Sequence, residues 1–202
     1  MGAFNKTRHN ISKRRTVNLI GGKLKGKKLT SWKKGSIRPV MALVRKSIFD
    51  TIGAFIYDVN VLDLCAGSGI LGIEALSRGA SSLTLVDSDK SAIKIIYRNL
   101  SICKLHANVL YGRLPKVLNK IDLRDGQYNL IFLDPPYGNE KLIETVLGVL
   151  ILNNLIAKDA LISIETENKA NFLMPSKLIL YKEKKFGSTK ITMLKYNTSN
   201  AN

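Results

Sequence analysis

VLDLCAGSGILGIEALSRGASSLTLVD, residues 61–87, sets an apolar strand, a glycine-rich turn, a helix and a second strand ending in an acid one after another. The spacing predicts a strand over 60–65, a helix through about Arg78 and a strand over 82–87. The alternation continues outward. A helix follows over 89–102, then a weaker strand at 107–112 and a helical stretch near 114–120. A fully apolar strand, YNLIFLD, spans 128–134; a helix covers 139–152, and ALISIET (160–166) is strand-like. The last segment, LILYKEKKFGSTKITMLKYN, reads as two strands turning at Gly187-Ser188. Alternating units of this kind predict an α/β fold: a parallel sheet with helices on both faces, closed by an antiparallel hairpin.

Two turns carry the chemistry. In the first, Gly67, Gly69 and Gly72 match GxGxxG, and Asp87 falls 20 residues after Gly67, at the end of the second strand. Such a turn lets backbone approach a ligand at the carboxyl edge of the sheet, and the acid can accept from ribose hydroxyls. The pattern alone does not separate a dinucleotide-binding oxidoreductase from a methyltransferase. Asp63 tips the balance. A carboxylate there can reach a cationic methionine amino group, whereas beside a pyrophosphate it would repel. A ligand-free glycine turn is the bland alternative, and the co-occurrence of turn and acid weakens it.

The second turn is Asp134-Pro135-Pro136-Tyr137, at the end of the fourth strand. The prolines fix φ and remove two backbone donors, which stiffens the loop and presents its carbonyls outward. An exocyclic base amine is a poor nucleophile because its lone pair is delocalised into the ring. If Asp134 and the Pro135 carbonyl both accept from that amine, its lone pair can be aimed at a methyl donor, and positioning supplies most of the acceleration. Tyr137 offers a stacking face for a base taken out of its helix. A proline-rich turn that merely caps a strand is the alternative.

Of the 32 Lys and Arg, 14 lie in the first 49 residues, which hold no Asp or Glu; the other 18 face all 15 acidic residues. That asymmetry predicts an N-terminal surface that meets phosphate. Residues 16–30, TVNLIGGKLKGKKLT, read as a hairpin turning at Gly21-Gly22, and alternation puts Lys23, Lys25 and Lys27 on one face, with Lys28 adjacent. Trp32 follows in a basic loop, either packed beneath the hairpin or stacking on a base. Arg38-Pro39 opens a helix to about Tyr57. The expected organisation is a basic, disordered tail (1–15), a basic hairpin (16–37) and a catalytic domain (38–202). Residues 1–15 carry no apolar stretch, so no secretory signal is expected, and no apolar run is long enough to span a bilayer. Cys65 and Cys103 lack metal-ligand spacing, which predicts free thiols, no metal and a cytoplasmic setting.

VLDLCAGSGILGIEALSRGA (61–80) and IFLDPPYG (131–138), with IGGKLKGKKL (20–29) and RPVMALVRKSIFDTI (38–52), resemble the RsmD-type small-subunit ribosomal RNA guanine-N2 methyltransferases. The resemblance spans roughly residues 17 to 196. It implies a class I S-adenosylmethionine-dependent methyltransferase fold, Rossmann-like, with a seven-stranded, mostly parallel sheet and an N-terminal β-hairpin extension. It implies methylation of one guanine of 16S rRNA (the guanine(966)-N2 type), on the small ribosomal subunit or its assembly intermediate. Asp63, Ala66, Gly67, Ser68 and Gly69 would cradle the methionine part of S-adenosylmethionine, Asp87 the ribose, and the stretch at Leu114 would border the adenine. Asp134, Pro135, Pro136 and Tyr137 would form the catalytic loop. Lys23, Lys25, Lys27, Lys28, Arg38 and Arg45 would contact RNA or order the cofactor lid. The chain departs from the family at Val40, where Thr is usual, at Lys46, where an acid is common, and at Gly112-Arg113-Leu114, where an Asp or Asn often meets adenine. The alternatives are an adenine-N6 methyltransferase of DNA or RNA, an NAD-binding oxidoreductase, for which no hydride-partner residue is evident, and a non-catalytic RNA-binding assembly factor.

Overall fold

The computed structural model describes residues 16–31, 39–123 and 126–197; the basic tail, Trp32 and Arg38 lie outside them. Two short strands, β1 (Thr16–Asn18) and β2 (Lys28–Thr30), pair antiparallel ahead of helix α1 (Pro39–Ile52). Then come β3 (Asn60–Leu64), α2 (Ile70–Arg78), β4 (Ser82–Asp87), α3 (Lys90–Cys103) and β5 (Asn108–Tyr111). A 3-10 turn (Lys116–Lys120) leads to β6 (Tyr128–Leu133), α4 (Glu140–Leu152), β7 (Ile156–Glu167), β8 (Leu178–Phe186) and β9 (Thr189–Tyr196).

The main sheet has seven strands in the order β5-β4-β3-β6-β7-β9-β8. The first five are mutually parallel, and β9 pairs antiparallel with both β7 and β8. This is the class I methyltransferase arrangement that the resemblance implies. The central strands are apolar on both sides because both faces are covered. Val61, Leu130 and Phe132 pack with α1, α2 and α3, and Leu62, Ile131 and Leu133 pack with α4 and the 3-10 turn. Phe132 meets Phe49 of α1 edge-on, with ring centroids 5.9 Å apart.

The N-terminal hairpin differs from the expectation. Its strands are three residues each, and residues 19–27 form a loop, so Lys23, Lys25 and Lys27 do not alternate along an arm. Gly21-Gly22 is not the turn of the hairpin; it is where this loop docks on the last turn of α2. Ser77 O accepts from Lys23 N at 2.7 Å, and Ser77 Oγ accepts from Leu24 N and donates to Gly21 O. A Cβ on Gly22 would sit 1.9 Å from Ser77 O, and φ there is +72°, so both sterics and backbone conformation call for glycine.

Beneath this loop lies a fully buried carboxylate, Glu74. It accepts from Ile20 N at 2.9 Å and from Arg78 Nε at 3.0 Å, and Arg45 Nε lies 3.8 Å away. Arg45 is 6% exposed and donates from Nη2 to Asn18 O at 2.7 Å. Its expected place on the RNA-facing surface is therefore corrected: the guanidinium is turned inward, holding the hairpin to α1. Burial pulls Arg45 below its ordinary pKa, while Glu74 opposes that shift. Asn99 of α3, also fully buried, ties the second strand down. It accepts from Thr30 N and donates to Thr30 O and to Ser68 O. Leu19 and Leu29 complete the seam, both inside the core cluster shared with α1 and α2.

Candidate active site

The parallel sheet reverses direction of growth between β3 and β6, and the carboxyl ends of these strands form the crevice where such folds bind ligands. Both predicted turns open there. The first leaves β3 through Cys65, Gly67 and Gly69, all at positive φ, and enters α2 at Gly69. Ala66 N donates to Val86 O, and Gly67 N donates to Asp87 Oδ2 at 2.7 Å, which binds the turn to the end of β4. Asp87 Oδ1 accepts from Asp89 N at 2.8 Å. A carboxylate has about four acceptor positions, so Asp87 keeps capacity for hydroxyls. Leu114 packs against the second core cluster just past β5, beside exposed Arg113.

Asp63 is 2% exposed and accepts from Gly72 N at 3.0 Å. Burial pushes its carboxyl up to about 7; the Gly72 N–H opposes this, and Asp134 and Asp87 add to it. A buried acid poised near neutrality, beneath a glycine turn, suits a cationic partner that would hold it ionised. Burial, with Asp134, Asp87 and Asp63 nearby, pushes the Cys65 thiol up to about 12, so it stays neutral and is no nucleophile. Among the described residues no group of His, Cys, Asp or Glu is arranged to hold a metal ion.

The second turn starts where Asp134 N donates to Leu64 O at 3.3 Å, setting Asp134 beside the first turn. Asn139 Nδ2 donates to Pro136 O at 2.8 Å and closes the loop before α4. Pro135 is buried and Pro136 exposed. Tyr137 is 47% exposed, with its hydroxyl 3.0 Å from Thr189 Oγ1 of β9, so the ring is held by its tip.

The structure thus brings Asp63, Ala66, Gly67, Ser68, Gly69, Asp87 and Asp134–Tyr137 to one edge. Lys23, Lys25, Lys27 and Lys28 are exposed on the hairpin. Lys46, the departure on α1, pairs with Asp50 at 2.6 Å.

One neighbour was not anticipated. The register pairs Leu64 with Val86 and with Leu133, and Leu133 with Ile164. One residue further come Asp87 and Glu165, still on β4 and β7, and Cys65 and Asp134, the first residues past the ends of β3 and β6. Glu165 is 7% exposed and borders a shallow recess with Pro135, Pro136 and Tyr137. The signal in the sequence is an acid after the strand-like run ALISI (160–164), but strand register across 30 residues of chain cannot be read from that.

The family model described as Conserved hypothetical protein 95 matches residues 17–195. Ribosomal RNA small subunit methyltransferase D of Escherichia coli (strain K12) is 33% identical over 173 residues, 85% of each chain. Its counterpart of the same name in Buchnera aphidicola subsp. Baizongia pistaciae is 38% identical over 180 residues, covering 86% of this chain and 89% of that one. The solved structure of the Escherichia coli protein yhhF superposes with a TM-score of 0.78 at 30% identity, over 91% of this chain and 99% of that one. With a family model spanning nearly the whole sequence, relatives a third identical along most of their length and the same seven-stranded frame, the chain belongs to the RsmD family.

Proposed function

We propose that the protein transfers a methyl group from S-adenosylmethionine to the N2 amine of a guanine in 16S rRNA, acting on the small ribosomal subunit or its assembly intermediate. The observation that carries this reading is the seating of Asp134-Pro135-Pro136-Tyr137 directly against the glycine turn, through Asp134 N to Leu64 O. Two sequence relatives named for small-subunit rRNA methylation support the choice of RNA.

The residues divide the work. When bound, S-adenosylmethionine supplies an electrophilic methyl carbon on a sulfonium. Asp63 holds the methionine ammonium, Asp87 the ribose hydroxyls, and the turn at Ala66–Gly69 packs under the methionine part. Tyr137 stacks on the flipped base. Asp134 and the Pro135 carbonyl accept its two amine hydrogens and localise the nitrogen lone pair. Asp134 also accepts the proton that the nitrogen sheds as the new N–C bond forms. Mass mapping of 16S RNA from unmodified small subunits incubated with protein and labelled cofactor tests the reading: one N2-methylguanine is expected, and a label on adenine or no label overturns it.

Two further expectations follow from the geometry. Because Asp63 must be ionised to hold an ammonium, affinity for S-adenosylhomocysteine should fall as pH drops through about 7. Calorimetry should show binding roughly five- to tenfold weaker at pH 6 than at pH 7.5, and D63N should flatten the profile; a flat wild-type profile refutes the assignment. The ligand-free fold runs the other way. The folded pKa lies above the ordinary 3.8, so this group's share of stability is full at low pH and is lost as pH rises through about 7.

The exposed lysines of the docked loop should contact phosphate. Reversing Lys25, Lys27 and Lys28 to Glu should weaken RNA binding and reduce the slope of log K against log salt by roughly 2 to 3. An unchanged slope removes the loop from the interface.

A further inference from the structure

Next to Asp134, on the side away from the glycine turn, the neighbouring strand β7 carries a second carboxylate, Glu165, two residues before its end. The register pairs Leu133 with Ile164, and Asp134 and Glu165 are the next residues along the two segments. Neighbouring strands lie about 4.8 Å apart, so the two carboxylates can address adjacent atoms of one base. Glu165 borders the recess whose rim is Pro135, Pro136 and Tyr137. From the opposite face of β7, Thr166 lines the same recess. Its hydroxyl is buried, the residue being 3% exposed, and has no hydrogen-bond partner among the described residues. A buried hydroxyl left in that condition is normally met by a ligand or by water. The recess thus places Glu165 and a buried hydroxyl, unpartnered among the described residues, beside the Pro135–Tyr137 rim, where the base in the proposed reaction would lie.

We propose that Glu165 is the residue that selects guanine, accepting the ring N1–H while Asp134 accepts from the N2 amine. The inference rests on the guanine-N2 reading above. Its chemistry is specific. On its Watson–Crick edge guanine offers two neighbouring donors, N1–H and the exocyclic amine, which suit two neighbouring acceptors. Adenine offers its amine beside a bare N1 lone pair, which would face the Glu165 carboxylate and be repelled. A carboxylate set to accept from N1–H favours the base that carries that donor over one that presents a lone pair there. Asp134 by itself accepts from either amine; the second carboxylate separates the two bases.

The test uses the full-length protein and small subunits reconstituted on 16S RNA with either guanine or 2-aminopurine at the target position. 2-Aminopurine keeps the N2 amine but has an unprotonated N1. Product mapping with the wild type on guanine subunits comes first. A methyl on another base removes the guanine-N2 reading, and this inference with it. With N2-methylguanine found, the wild type should favour guanine over 2-aminopurine in kcat/KM by roughly 10- to 100-fold. E165Q should bring the two substrates within about threefold of each other, since its carboxamide N–H can donate to the bare N1. E165A, which removes the acceptor outright, serves the same comparison should E165Q not fold. Cofactor affinity, read by calorimetry, should be unchanged in both. Equal discrimination by the wild type and the variants, or none by the wild type, overturns the role of Glu165 while leaving the guanine reading intact. A merely structural contribution from Glu165 would slow both substrates alike.

Discussion

Replacing Asp134 with Ala should lower the rate of methyl transfer on small subunits by at least roughly 10³-fold while the protein still folds and binds cofactor. In the proposed reaction the carboxylate acts on the developing positive charge at the amine nitrogen, an interaction that strengthens toward the transition state, so the loss should fall on kcat more than on KM. Cofactor binding should survive because the groups assigned to it sit on other elements: Asp63 on β3, the turn at Ala66–Gly69 and Asp87 on β4. Asp134 is also one of the charges that raise the Asp63 pKa, so its removal favours the ionised form of Asp63. Single-turnover methylation beside calorimetry with S-adenosylhomocysteine separates the two effects. Transfer within tenfold of the wild type would eliminate Asp134 as the amine acceptor.

The second large effect concerns stability. Glu74→Ala strands the buried Arg45 guanidinium, takes the acceptor from Ile20 N and frees Arg78. Breaking a buried ion pair from one side costs about 3–5 kcal/mol. In a domain of this size that lowers Tm by roughly 6–20 °C. The damage should concentrate at the hairpin, because Ile20 N and the Asn18 carbonyl are both held through this cluster. Tryptic cleavage at Lys23–Lys28 should accelerate before global unfolding. Adding Arg45→Met to Glu74→Ala should recover part of the lost Tm, since an apolar replacement removes the uncompensated charge. A single-variant Tm within 2 °C of the wild type would show that the cluster does not hold the hairpin.

The residues that face the crevice were legible in the sequence because local rules govern them. Short, nearly continuous apolar runs mark β3, β4 and β6, and a glycine turn between strand and helix leaves the backbone few other courses. Asp134 and Asp87 had to fall at the carboxyl edge once those strands were parallel. The family resemblance added the substrate class on top of that frame. The basic first quarter was likewise legible as a charge asymmetry, and Lys23, Lys25, Lys27 and Lys28 are exposed, although on a docked loop and its edge rather than along one arm of a hairpin.

What depended on the tertiary structure is whatever joins residues far apart in the chain. Arg45 looks like any basic residue on an amphipathic helix; Glu74, on another helix, and the Asn18 carbonyl of the hairpin turn it inward. Gly21-Gly22 has the composition of a hairpin turn, yet its glycines are required by the approach of Ser77 and Arg78, more than 50 residues on. Asn99 is one polar residue in α3 until Thr30 and Ser68 close around it. Asp87, Cys65, Asp134 and Glu165 follow paired residues only because the sheet order sets β4, β3, β6 and β7 side by side in one register. Periodicity states which way a side chain faces within its own element. Which buried carboxylate meets which guanidinium, or which strand end stands beside which, is settled by packing between elements, where an unmatched charge or donor costs several kcal/mol and partners are chosen accordingly.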